Sequence, residues 1–242
     1  FSGDCYLLVN GGCFYNGNHT GIAVINSIKS GSVSAVRGSL KTSDTEYNSM
    51  YNVTRGTFGV DASGKPNVVW TGTDASNNVF YFDRPLPSVK GENKYGIVTN
   101  ENPTTAINWS PKYALSAGPV LLKDKKIPFD FTETSKGTDY YLSNYEIIPY
   151  DIFGANVTPD RTAIGYREDG KVVIFICDGR ITASGGATLT ELAQIMKGLG
   201  CVGAINLDGG GSTGMVVGDE HLNDMTGGNR AVVSTIGFFK KN

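Results

Sequence analysis

The sequence predicts an α+β fold, built from mixed β-sheets with few helices, in which one strand–helix–strand unit carries the functional site. Three observations predict it. Short apolar runs recur along the chain, broken by Gly, Asn and Asp, as in strands joined by turns. Only Leu189 to Leu199 places apolar residues at helical spacing. On each side of that helix an apolar run ends in Asp-Gly, at Asp178-Gly179 and Asp208-Gly209. A chain of 242 residues with 32 glycines and 12 tyrosines fits one turn-rich β domain. The expectation is a single domain over 1–242 that lacks its first N-terminal strands.

Cys5 to Val9 reads as a strand that belongs inside a sheet. It begins so early that residues are expected to be missing before Phe1. Asn10-Gly11 then reads either as a hairpin turn towards the apolar run Gly21 to Asn26 or, with Gly12, as a pocket lining; the turn is the plainer reading of that segment alone. Ser32 to Gly38, Gly56 to Val60, Asn67 to Thr71 and Val79 to Phe82 are further strands, spaced as a meander. Residues 83–111 read as a long surface excursion with one short strand near Ile97. Tyr113 to Leu122 returns to the core, bent at Gly118-Pro119, and Lys123 to Lys126 is a solvated turn. Residues 128–159 carry Phe129, Phe131, Tyr140, Tyr141, Tyr145, Tyr150 and Phe153. Such rings stack on sugar faces, but packing is the plainer role.

Arg161 to Tyr166 and Lys171 to Cys177 form a hairpin about Glu168-Asp169-Gly170. The second strand is apolar throughout and is expected to be central, covered on both faces. The helix follows, with Thr188 as N-cap and Glu191 completing a capping box, and Gly198 and Gly200 ending it. Ala204 to Asp208 is a buried strand, followed by Gly209-Gly210-Gly211-Ser212-Thr213. Met215 to Val217 is a strand, residues 219–229 a polar loop, and Ala231 to Phe239 the last strand. No internal repeat stands out.

Composition narrows the function. A net charge of −2 supplies no basic face for nucleic acid or a membrane surface. No stretch is long enough for a membrane span. No secretory signal is visible, as would hold for a trimmed exported protein. Cys5, Cys13, Cys177 and Cys201 match no zinc spacing; Cys5 and Cys13 could pair, while the other two read as buried small residues. With His19 and His221 alone, no histidine metal cluster exists. No cofactor is required by any motif. Calcium is allowed by the oxygen ligands Asp219, Glu220, Asn223 and Asp224, without EF-hand spacing.

The two Asp-Gly strand ends carry the chemistry. If the flanking strands run parallel, Asp178 and Asp208 lie at one edge of a sheet, where ligands commonly bind. Two carboxylates supply a general acid and a base or nucleophile for a glycosidic bond. Glu191 stands as a third carboxylate, with its capping role as the plainer reading. Arg161, Arg180 and Arg230 can clamp phosphate oxygens, and Gly209, Gly210, Gly211 and Ser212 offer backbone donors to the same anion. Asn10 and Gly11 complete the candidate pocket. The types together suit a substrate that is both sugar and phosphate. Gly210-Gly211-Ser212-Thr213-Gly214 also matches a nucleophile elbow, which would make Ser212 a serine hydrolase nucleophile. That elbow needs a helix after the turn, and here a strand follows. The Walker phosphate-loop pattern is absent.

Four blocks resemble the phosphodiester glycosidase family. They are Asn10-Gly11-Gly12-Cys13-Phe14; Ser116-Ala117-Gly118-Pro119-Val120-Leu121; Arg161-Thr162-Ala163-Ile164-Gly165 with Cys177-Asp178-Gly179-Arg180; and the helix leading into Asn206-Leu207-Asp208-Gly209-Gly210-Gly211-Ser212. The last is the most specific. The resemblance implies a hydrolase that cleaves between a sugar anomeric carbon and a phosphate, with an N-acetylglucosamine-1-phosphodiester or related glycan as substrate. It further implies an exported, bacterial or viral member. The rival readings are a non-catalytic carbohydrate-binding module, using the aromatics from Tyr140 to Phe153, and the Ser212 hydrolase.

Overall fold

The computed structural model describes residues 4–37, 42–43, 45–91, 105–129, 131, 145–146, 157–224, 228 and 230–240. Its centre is a four-stranded sheet in the order β13 (Val120–Leu122), β16 (Cys201–Asn206), β14 (Arg161–Arg167), β15 (Val172–Cys177). The helix α1 (Leu189–Gly198) connects β15 to β16. These two strands run parallel to each other, yet they do not pair, because β14 lies between them and is antiparallel to both. Every strand pairing among the described residues is antiparallel, which corrects the expected mixed sheets. The tight β14–β15 hairpin fills the slot that a βαβ crossover would otherwise have filled.

The expected centrality of β15 is also corrected. It is an edge strand, half-buried along its whole length, and β14 holds the interior position. Gly165 on β14 faces the helix: a Cβ there would lie 3.0 Å from Met196 Cε. Tyr166, next along, faces the opposite way, its ring 6.5 Å from that of Phe58. The sheet is therefore covered on one face by α1 and on the other by a second sheet. Leu189, Leu192, Ala193 and Met196, at helical spacing, are the residues that α1 buries. The capping box is present as expected, and Gly200, with φ +83°, follows the helix end.

The second sheet has six strands in the order β10 (Val79–Phe82), β9 (Pro66–Thr73), β8 (Arg55–Asp61), β12 (Pro111–Ser116), β4 (Ile22–Ile25), β5 (Ile28–Gly31). Its first three strands are the expected meander. Phe58, Val68 and Trp70 join Leu121, Leu122, Ile164 and Ile205 in one buried core. A third sheet, β18 (Glu220–His221), β17 (Met215–Val217), β1 (Cys5–Asn10), β19 (Thr235–Phe239), places β1 at an interior position as expected. The hairpin from β1 to the run after Gly21 is overturned, since β1 and β4 belong to different sheets. Smaller ribbons are β2 (Phe14–Tyr15) with β3 (Asn18–His19), and β11 (Val89–Lys90), β7 (Met50–Asn52), β6 (Val36–Arg37). Of the expected strand at Ser32 to Gly38, Val36–Arg37 is the part that pairs among the described residues. The strand expected near Ile97 falls outside the described residues.

Two hairpins share a frame, which corrects the reading that no repeat exists. Arg55, Gly59, Gly64 and Lys65 have the same spacing as Arg161, Gly165, Gly170 and Lys171. Each hairpin takes a third antiparallel strand on the same side, with Gly59 opposite Ala114 and Gly165 opposite Ala204. A Cβ at Gly59 would lie 2.5 Å from Tyr113 O, and one at Gly165 2.6 Å from Gly203 O. Only glycine lets the third strand approach so closely in either unit. Both turns close on a glycine in the left-handed region, Gly64 at φ +84° and Gly170 at φ +80°.

Candidate active site

The C-terminal ends of β15 and β16 and the start of β14 share one edge, with Arg161 opposite Cys177 and Ala163 opposite Asn206. Asn206, buried, is fastened to the bend of the other large sheet. Its Nδ2 donates to Gly118 O at 3.0 Å, while Gly118 N–H donates to Asn206 O at 2.9 Å. Asp208 N–H donates to Gly11 O at 3.0 Å. Asn10 Nδ2 donates to Asp208 O at 2.7 Å, and Asn10 Oδ1 accepts from Thr162 Oγ1 at 2.8 Å and Gly214 N–H at 3.1 Å. Asn10 is thus a buried knot joining β1, β14 and the glycine loop, rather than a turn residue.

Asp208 is the chemically distinctive group. Burial pushes its carboxyl above the ordinary range, against the lowering influence of the Ser212 hydroxyl, the Gly209 N–H, the Arg230 charge and the Cys13 thiol. The Gly209 N–H lies 3.0 Å from Oδ1. Arg230 is exposed, its guanidinium 5.3 Å above the Phe14 ring. Arg180 also reaches the glycine loop: a Cβ on Gly210 would lie 3.1 Å from its Nη2. Its Nη2 and Nε donate to Asp160 Oδ2 at 2.8 and 3.2 Å, and its backbone has φ +59°. That conformation costs a non-glycine residue about 1 kcal/mol or more, so the surroundings hold Arg180 in place.

Other expected members have different duties. Arg161 is buried; its Nε donates to Ala187 O at 2.9 Å and its Nη2 to Val157 O at 3.1 Å. Desolvation pushes this guanidinium down to about 10. It braces the segments on either side of the site. Glu191 accepts from Thr188 N–H and Oγ1, both at 2.8 Å, which commits its carboxylate to the helix cap. The N–H groups of Gly209, Gly210, Ser212 and Thr213 donate within the site to Asp208 Oδ1, Asp160 O, Gly209 O and Gly210 O. They are therefore not free phosphate donors. Asp178 Oδ2 accepts from Asp224 N–H at 3.3 Å, while its Oδ1 is buried without a partner.

Ser212 is buried and bonded to Asp208, and a strand, not a helix, follows the loop. His221 lies exposed on β18, paired with Val216. No nucleophile elbow is formed. Phe129 and Phe131 are core residues and Tyr145 packs on them, so this part of the aromatic platform is packing. Tyr140, Tyr141, Tyr150 and Phe153 lie outside the described residues. No disulfide joins the four cysteines, and the Cys13 thiol bonds Asp208. Asn223 spans Met215 N–H and Thr213 O, and among the described residues no cluster of three His, Cys, Asp or Glu could hold a metal ion. Lys123 is anchored through Nζ to Val68 O at 2.7 Å rather than merely solvated.

Two site neighbours carry little sequence signal. Glu146 is fully buried beside the Gly118 bend, where its Oε2 accepts from Val120 N–H at 2.6 Å. Burial pushes it up to about 8, opposed by the Val120 N–H, the Arg55 charge, the Gly56 N–H and the Trp70 indole. His19 stands near enough to Asp208 to feel its charge. A lone histidine between Asn and Thr in a polar hairpin gives no hint of that.

Asp208, with the Ser212 hydroxyl, the Gly209 N–H, the Cys13 thiol and the Arg230 charge acting on it, is the centre of the candidate site. The phosphodiester glycosidase family model matches residues 3–239, and the chain belongs to the phosphodiester glycosidase family. A Bacillus subtilis SPbeta prophage-derived protein, YomE, is 42% identical over 82 residues, 34% of this chain and 13% of its own length. The human N-acetylglucosamine-1-phosphodiester alpha-N-acetylglucosaminidase is 45% identical over 62 residues, 26% of this chain and 12% of its own length. The zebrafish enzyme of that name, its catalytic domain auto-inhibited by a pro-peptide, shares the fold with a TM-score of 0.57 at 20% identity, over 98% of this chain and 64% of that chain. The chain spans less than two thirds of the length of each of these relatives. Among the described residues no helix is long and apolar enough to cross a membrane.

Proposed function

We propose that the chain hydrolyses the bond between a sugar anomeric carbon and a phosphodiester, with N-acetylglucosamine-1-phosphodiesters as the substrates to test first. The observation that carries this reading is the setting of Asp208, a desolvated carboxylate at a strand end with Arg230 held over Phe14 beside it. Arg230 and Arg180 hold the phosphate; the Phe14 ring offers an apolar face to the sugar. Asp208 acts as base towards water or as nucleophile at the anomeric carbon. The C–O bond breaks, its electron pair leaves with the phosphate oxygen, and the products are free sugar and a phosphate monoester. The desolvated carboxylate is a stronger base than an exposed one, and the phosphate needs little help to leave.

Asp178 is the second carboxylate of this reading, while Arg161 and Glu191 act as braces. Support for pairing the two carboxylates is that β15 and β16, which end just before Asp178 and Asp208, run in the same direction on either side of β14. Export, expected from the resemblance, belongs to the same reading and is tested by fractionating producing cells. The decisive experiment is release of free sugar from an N-acetylglucosamine-1-phosphodiester, compared with the sugar 1-phosphate monoester. Asp208→Asn should reduce diester cleavage by about 100-fold or more without changing the melting temperature greatly. Near-wild-type turnover in that variant would overturn the role of Asp208.

A further inference from the structure

His19 occupies an unusual seat. It lies directly opposite Phe14 in the β2–β3 ribbon, so it sits on the ribbon that carries the ring beneath Arg230. Its Nδ1 accepts the Gly21 N–H at 3.3 Å. In a neutral imidazole with Nδ1 accepting, the proton is on Nε2. That Nε2 is buried without a partner. A Cβ on Gly12 would lie 2.1 Å from His19 Nε2 and 2.5 Å from Ser116 O. The imidazole therefore fills the space that any side chain at position 12 would need. The Gly11–Cys13 turn beneath it touches Asp208 twice, through Gly11 O on the Asp208 N–H and through the Cys13 thiol on the carboxylate.

We propose that His19 is a positioning residue of the Asp208 pocket: its neutral ring wedges the Gly11–Cys13 turn against Asp208, and its protonation couples directly to the charge of Asp208. Among the described residues the charged and titratable groups around the pair are Asp208 itself, Cys13 from the turn, and Arg230 over Phe14; the Gly21 N–H meets the ring at Nδ1. Desolvation holds the imidazole below its ordinary range, and the Asp208 charge pulls the other way. At neutral pH His19 is uncharged and the carboxylate is free to act. In acid the ring gains a proton at Nδ1, loses its bond from Gly21, and sets a positive charge beside Asp208, which weakens that carboxylate as a base.

The catalytic meaning rests on the function proposed above, but the coupling does not. The chain has two histidines, His19 and the exposed His221, which makes imidazole nitrogen NMR a two-signal experiment. In the full chain His19 should show the Nε2-protonated tautomer at neutral pH and titrate below the ordinary imidazole range. In Asp208→Asn it should titrate lower still. His19→Gln should lower kcat/KM and shift its acid limb. Titration of His19 in the ordinary imidazole range, or no response to Asp208→Asn, would overturn the inference even if Asp208 proves catalytic. A coupled titration in a protein that cleaves no sugar phosphodiester would uphold the coupling and overturn the reaction.

Discussion

The β8–β9 hairpin with β12 and the β14–β15 hairpin with β16 use one frame for two ends. Each begins on a buried arginine whose side chain holds a main-chain carbonyl, Glu146 O for Arg55 and Ala187 O for Arg161. Each has a glycine that admits its third strand. Those third strands finish differently. Ser116 lies opposite Thr57 as Asn206 lies opposite Ala163, so Gly118 holds the place that Asp208 holds in the other unit. One unit ends on a bare glycine bend and the other on a carboxylate. The two ends then meet, through the paired bonds between Asn206 and Gly118. The frame supplies position, and a single residue beyond it would supply the chemistry of the proposed function.

Three measurements sharpen or break that comparison. The largest effect is expected from Gly59→Ala and Gly165→Ala. Both would push a methyl against main-chain oxygen and against Ala114 or Ala204 Cβ, so each should cost about 1–3 kcal/mol or more in denaturant unfolding. Similar losses uphold the equivalence; a loss in one variant alone breaks it.

The second measurement concerns the half that ends on the Gly118 bend, where Glu146 lies. A carboxyl raised from 4.5 to about 8 on folding binds more protons folded than unfolded across that window. Stability should therefore fall as pH rises through it. Glu146→Gln, neutral at every pH, should flatten the decline in denaturant midpoint between about pH 5 and about pH 8. An unchanged slope would place the titrating group elsewhere. The smallest effect concerns the helix that leads into the catalytic unit. Thr188→Ala should cost about 1 kcal/mol, while Glu191→Gln should leave sugar release unchanged. Loss of turnover in the latter would return Glu191 to the catalytic set.

The parts legible in the sequence were those with local causes. Alternating apolar runs gave the meander over β8, β9 and β10, and the Thr188–Glu191 box gave the helix start. The Asp-Gly ends located Asp208 because a glycine run after a buried strand needs a structural reason. What could not be read was set by partners far along the chain. β15 looks central by its apolar content, but β14 takes the interior place. Arg161 looks like a phosphate clamp, yet its partners are carbonyls that no motif announces. His19 carries no pattern of its own, since its contact with the site exists only after the β2–β3 ribbon folds over Gly12. The repeated frame hides because the two units share spacing at Arg, Gly and Gly-Lys while their intervening side chains differ.

The knot at Asn10 has a consequence for how this molecule comes into being. Asn10 reaches Thr162, Asp208 and Gly214, while Gly11 and Gly12 rest on Ser234. Contacts at such separation close late, because the loop entropy between them must be met first. On the ribosome, the pocket cannot exist until the segment bearing Ser234 has emerged from the exit tunnel. A nascent chain therefore lacks the pocket until that segment is free to fold. A single nick that freed β19 would undo the support of the Asn10 turn, silencing the pocket without touching any group that meets the substrate.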